Sequence, residues 1–581
     1  NTTGTANVAV GALAGDALTV GSSNVAIGYN SLSTEDGHGA NVAVGTNSLA
    51  VQNAGANGYN TAVGHNAGLS VTTAVETTLV GALAGDAITT GGYNTGFGSA
   101  ALGATTTATF NTAVGRNALG ANTTGASNVA VGGQALDANT TADNNTAVGT
   151  SSLGASTTGT SNTAVGQASL GSNTTASNNT AVGKGALTAN TTGTANTAVG
   201  TSALIANTTA NSNTAIGKDA LLANTTGTRN VGVGASALKT ITTASFNTGV
   251  GNDVLGANTS GASNTGIGDQ ALGANTTGAD NTAIGSGALD ANTTADGNTA
   301  VGSSCLGANT TGADNVAMGE AALLSNTTAA NNTGIGTSAL RANTTGTNNA
   351  SLGFSSLLSN TTGSNNIALG AYALDANTTA DNNIAIGTAA LGANTTGTEN
   401  TAVGALALAA NTTADNNEAF GYGALNVNTT GNNNSALGSL ALLDNTTGSS
   451  NVAIGRSALE NNTTADNNTA VGRSALKANT TGAINTGVGY LALAKCTTGS
   501  SNVALGYDTL GELTTASDNT AVGYAALQAS TSATGLAAFG KGALRVNTTG
   551  SNNTAVGQNA LVANTTGANN VALGGQALEA A

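Results

Sequence analysis

Apolar and polar residues recur along this chain with a period of seventeen. The segment from Asn111 reads NTAVGRNALGANTTGAS, and the segment from Asn128 reads NVAVGGQALDANTTADN. From Asn60 to Asn570 the register never slips. Three earlier repeats begin at Asn7, Asn24 and Asn41, and the nineteen-residue step from Asn41 to Asn60 is the only insertion, giving thirty-four repeats. Glycine fills the fifth position in all thirty-four, including Gly115, Gly132 and Gly149. Leucine fills the ninth in thirty-one, including Leu119 and Leu136, with Gly15, Gly68 and Gly85 as the exceptions. Asparagine opens every repeat, as at Asn111 and Asn128, except at Thr77 and Leu536.

Each position has a local reading. Thr112, Ala113 and Val114 favour a strand and alternate in direction. Val114 and Val148 are expected in the core, with Arg116, Asn117 and Asp143 facing solvent. Gly115 marks either a backbone needing positive φ or a close approach of another backbone. Ala118, Leu119 and Ala121 read as a second short apolar strand, and residues 122–125 as the closing turn. A seventeen-residue repeat is too short for a helical hairpin, and Asn, Gly and Thr are poor helix formers. The expectation is all-β: a parallel β-solenoid with seventeen-residue coils, in which equivalent Asn and Thr side chains stack as ladders. Residues 1–110 form irregular N-terminal coils of this solenoid and 111–581 a uniform shaft. Thirty-four coils at ~4.8 Å each predict a rod on the order of 160 Å. Two large apolar residues per coil make a thin core. This implies a second buried surface supplied by sister chains, hence a homo-oligomer, a homotrimer about a threefold axis.

Composition narrows the function. The 581 residues include 84 Gly, no Pro, and only 7% charged residues. Disordered chains are typically charged and Pro-rich, so disorder is a poor reading. Formal net charge is −15 and the twelve Lys and Arg are scattered in sequence, which argues against nucleic-acid partners. No apolar run reaches the ~18 residues of a membrane span. The chain opens without Met or a leader and stops inside a coil, which reads as a fragment of something longer. Cys305 and Cys496 lie 191 residues apart, roughly 50 Å along such a stack, too far for a disulfide.

The motif N-(T/V)-A-(V/I)-G followed by A-L resembles the YadA-like head repeats of trimeric autotransporter adhesins. With its NTTG turns it is still more similar to the repeat stalks of phage tail fibres and related cell-surface fibres. The resemblance covers essentially the whole chain. It implies a trimeric left-handed parallel β-roll, a structural or adhesive role, and an extracellular or virion-surface location. Partners would be sister chains, with cell-surface glycans or a virion or cell attachment beyond them.

Little in the sequence reads as chemistry. His38 and His65 are the only histidines, both in the irregular region, and His38 between two glycines reads as a solvated turn residue. Asp137 with Asp143, and Asp375 with Asp381, recur at one spacing, yet they sit on turns with nothing to raise a pKa for acid–base work. With Asp296, Asp415 and Asp466 they are calcium candidates, but the Gly-Gly-x-Gly-x-Asp roll motif is absent, and solvated turns are the plainer reading. Gly285-Ser286-Gly287 follows the repeat and lacks a nucleotide-binding context. Asn122, Asn139 and Asn292 open Asn-Thr-Thr triplets, which are candidate glycosylation acceptors or members of an Asn ladder. The chain is expected to be no enzyme and to carry no cofactor. Competing readings are a glycosylated extracellular filament, an ice-binding solenoid, and a polysaccharide-degrading tailspike; an ice-binding face wants Thr-x-Thr on one strand, and a tailspike an aromatic and acidic groove. Any recognition site is expected in the first 110 residues, which hold the long coil, Tyr29, Tyr59, Tyr93, Phe97 and Phe110.

Overall fold

The computed structural model describes residues 2–580. Every coil contributes one three-residue strand, from β1 (Val8–Val10) to β34 (Val571–Leu573), and the described residues contain no helix. The chain divides into two compact units, Asn1–Thr294 and Ala295–Ala581. The first carries β1 to β17 (Thr282–Ile284) and the second β18 (Thr299–Val301) to β34. Within each unit successive strands pair parallel and in register, as Thr112↔Val129 in the first and Thr299↔Val316 in the second. Each residue therefore lies over its counterpart seventeen residues away. The fold is a parallel β-solenoid with seventeen-residue coils. The nineteen-residue coil keeps this register, since Val42 pairs with Thr61. Its surplus emerges as an exposed loop around Gly55 and Asn57.

Two expectations about the coil are corrected. Strand alternation is present, but with the opposite sense. Ala113 is buried, whereas Val114 is half-buried and Val148 is 36% exposed. The reason is the volume beneath the sheet. At Gly334, where the third position lacks a side chain, an added Cβ would meet the Cγ of Leu323 from the preceding coil at 3.3 Å. Leucine already fills the space, leaving room for little more than a methyl.

The segment from Ala118 to Ala121 is a run of turns and not a second strand. Asn117 and Leu119 adopt φ of 56° and 51°, which no strand permits. The turns still stack through main-chain bonds. Leu119 N–H donates to Ala135 O at 3.0 Å and Ala121 N–H to Asp137 O at 2.9 Å.

Interior volume is compensated from coil to coil. Gly68 and Gly85 replace the ninth-position leucine, and Val71 and Ile88 then fill the twelfth position, where Asn is usual, while Leu79 replaces the small third residue. All three larger residues are fully buried. Val254 replaces the usual eighth-position Ala beside Gly249 and Gly266 at the third position; a Cβ on Gly266 would meet Val254 Cγ2 at 2.6 Å. Close packing of this kind makes single methylenes count.

Candidate functional site: an outer apolar ladder over buried amide ladders

The interior is partly polar. In the coil from Asn111 the buried side is Asn111, Ala113, Ala118, Leu119, Asn122 and Gly125. Asn111 Oδ1 accepts from the Asn128 main-chain N–H at 2.9 Å, and Asn111 Nδ2 donates to Gly125 O at 3.0 Å. Asn128 repeats the pattern with Asn145 N–H and Ala142 O. The twelfth position builds a second ladder: Asn139 Nδ2 donates to Asn122 Oδ1 and Asn292 Nδ2 to Asn275 Oδ1, both at 2.9 Å. Such bonds satisfy groups whose burial without partners would be costly. Asn122, Asn139 and Asn292 are fully buried, so in the folded coil their amides are closed to a glycan.

Gly115, Gly132 and Gly149 form the third ladder. Gly115 has φ of 132°, and a Cβ there would lie 2.5 Å from Gly132 O. Both readings of the invariant glycine, positive φ and a crowding backbone, therefore apply at once.

The candidate aspartates fall at two positions of the coil. At the sixteenth position, Asp143 Oδ1 accepts from Ala126 N–H at 2.7 Å, and Asp381 and Asp415 accept from Ser364 and Thr398 N–H at 2.6 Å. Asp466 caps Ser449 N–H at 2.7 Å, and Ser177 Oγ does the same for Thr160 N–H at 3.0 Å. These residues tie one coil to the next. At the tenth position, burial pushes the carboxyls of Asp137 and Asp375 up from the ordinary range, partly offset by main-chain N–H donors. That corrects the expectation that nothing on these turns raises a pKa.

Among the described residues, the group close enough to hold a metal ion is Glu35, Asp36 and His38, whose ligand atoms lie within 4.8 Å of one another. Glu35 occupies the buried twelfth position, and burial raises its pKa against the pull of the His38 N–H and imidazole. His65 is exposed and apart from this group. Cys305 and Cys496 are free and buried, and burial pushes each thiol up to about 11. Both are therefore thiols at neutral pH, with little nucleophilic character.

Outside lies the most continuous feature. All thirty-four fourth positions are Val, Ile, Leu, Met or Phe, and they project from the outer face of the strands beside the second-position Thr and Val. Ile216 is 40% exposed, Phe420 41% and Leu437 52%. Glu418 is the one charged residue among the second and fourth positions, and its carboxylate accepts from Ser435 Oγ at 2.5 Å. Phe420, Leu437 and Ile454 line a shallow concavity of ≈ 450 Å³ beside it. A second surface feature escaped the sequence reading. Tyr490, Tyr507 and Tyr524 fall at the sixth position of consecutive coils and stack in the uniform segment. Their seventeen-residue spacing was the available signal.

No family model matches the chain, and no curated protein matches it. No helix among the described residues is long and apolar enough to cross a membrane.

Proposed function

We propose that the chain is a structural and adhesive fibre segment: a homotrimeric stalk of the kind found in phage tail fibres and surface adhesins, working outside the cell or on a virion. The observation that carries this reading is the apolar ladder that each unit bears at the fourth position. Fully burying one such side chain corresponds to roughly 60–120 Å² at ~25 cal/mol per Å². At about two-fifths exposure, seventeen coils then offer on the order of 400–800 Å² per unit, comparable with the ~800 Å² each partner gives to a standard interface.

A second copy of this chain is the occupant that fits. Side-chain size at the fourth position varies from Val114 to Met318 to Phe420 along the chain. In a parallel assembly with rotational symmetry, each level meets its own equivalents, so the variation is self-matched. The same variation, with Glu418 on the face, speaks against a uniform ice-matching surface, although Thr at the second position supplies one rank of such a surface.

The reading is tested by Val165→Asp combined with Val199→Asp. Both positions point outward, so the solenoid is expected to keep its β circular dichroism while native mass drops to that of one chain. Unchanged mass would remove the ladder from the interface.

A further inference from the structure

The sixth position follows the invariant glycine and carries small or polar residues in most coils. Over six consecutive coils of the second unit it reads Arg456, Arg473, Tyr490, Tyr507, Tyr524, Lys541. All six are exposed or, for Tyr490, 40% exposed. Parallel register places them in a single file, one per coil, on a ridge roughly 25 Å long at ~4.8 Å per step. The rings of Tyr490 and Tyr507 lie 5.3 Å apart at 26°, and those of Tyr507 and Tyr524 lie 5.1 Å apart at 8°. Lys541 Nζ stands 5.9 Å from the Tyr524 ring centroid. Three of the chain's twelve basic residues and three of its eight tyrosines thus share one ridge, in a chain otherwise acidic and poor in aromatics.

Self-stacking accounts for the tyrosines alone. Lys541 is met by the Tyr524 ring, but stacking does not account for Arg456 and Arg473. Among the described residues no carboxylate lies within ion-pairing range of Arg456, Arg473 or Lys541, while Lys477 and Lys495 nearby are paired with Glu460 and Glu512 at 3.2 and 2.6 Å. Two guanidinium groups on adjacent coils repel one another and add nothing to the core. An anion held between them would offset that repulsion.

We propose that this ridge binds an extended carboxylate-bearing polysaccharide lying along the solenoid axis, an inference that rests on the reading of the chain as an outward-facing fibre and names its ligand class. The Arg456–Arg473 pair takes one carboxylate through planar bidentate contacts. Lys541 takes another about four coils away from Arg473. Between them the phenol hydroxyls of the stacked rings meet sugar hydroxyls. A nucleic acid fits less well. Stacking of bases needs free ring faces, which the tyrosines already use on one another.

The test uses the full chain, with polygalacturonate as the probe, dextran as a neutral comparison and oligothymidylate as the nucleic-acid comparison, read by tyrosine fluorescence and calorimetry. Polygalacturonate is expected to bind in a salt-sensitive manner and dextran not to bind. Arg456→Ala with Arg473→Ala should weaken binding about tenfold or more, and Tyr507→Leu several-fold, both at unchanged native mass. The proposal is overturned if the wild type ignores polygalacturonate, if either variant binds like wild type, or if oligothymidylate binds more tightly. A fall in native mass of the variants would also overturn it, by making the ridge a contact between copies. A wild-type monomer that still binds polygalacturonate would leave this inference standing and remove the trimer.

Discussion

Leu119 sits at φ of 51°, Leu136 at 51° and Leu153 at 49°, a conformation in which a bulky residue is a conformational outlier. The penalty for a left-handed residue is ~1–2 kcal/mol, and burying a leucine returns ~1.5–3 kcal/mol. Burial wins because the turn needs this φ to aim the ninth side chain inward. Gly15, Gly68 and Gly85 hold the same backbone at 55°, 60° and 54°, and there an apolar twelfth residue supplies the missing volume. This predicts coupling between the two positions. Leu136→Gly should cost about 2–5 kcal/mol by leaving a cavity, and Asn139→Ile should by itself remove the amide bond to Asn122. The double variant is expected to be more stable than the sum of the singles, by about 1 kcal/mol or more in a double-mutant cycle. Strict additivity would show that the two sites do not share a volume. Gly115→Ala has no such rescue, because the new methyl meets the Gly132 carbonyl of the adjacent coil. It should cost at least ~1–3 kcal/mol of backbone strain and speed hydrogen exchange in the coils from Asn111 and Asn128. Exchange equal to wild type would contradict the stacked-glycine account.

At the scale of the coil, the period, the strand position and the amide ladders were legible in the sequence. All three follow from placing each residue over its equivalent. The sense of alternation was not, because Val in a strand is ordinarily the core residue, and only the depth of Leu119 beneath the sheet makes Ala113 the inward one. The turns around Leu119 were hidden for a related reason: no propensity rule places leucine in the left-handed region. The alternation of TTG with TTA also gains a physical basis. Asp143, Ser177 and Asn211 follow TTA and cap the main-chain N–H of Ala126, Thr160 and Thr194 in TTG coils. The tenth-position aspartates give a pH prediction. The folded pKa of Asp137 lies above its unfolded value because burial penalises the anion. Its stabilising contribution is therefore complete below the unfolded value and lost as pH rises through the folded one. Asp137→Asn should raise the thermal midpoint at pH 7, and the difference from wild type should vanish as pH falls below ~4. A difference that persists in acid would assign the effect to packing instead.

For the whole molecule, two facts pull in one direction. The interior of each coil is narrow and partly amide, so the single chain buries few large apolar side chains. The outer face meanwhile carries an apolar residue in every coil and one charged residue, Glu418, along its second and fourth positions. Assembly of copies through that face is the account's central claim, and native mass measurement tests it most directly. One chain weighs 54.8 kDa. The account predicts a single species of about 164 kDa, three times that value, stable across changes in salt because the seam is apolar. A monodisperse species of 54.8 kDa over the same conditions would contradict it, and would mean that the stacked backbone and amide ladders suffice for one chain alone.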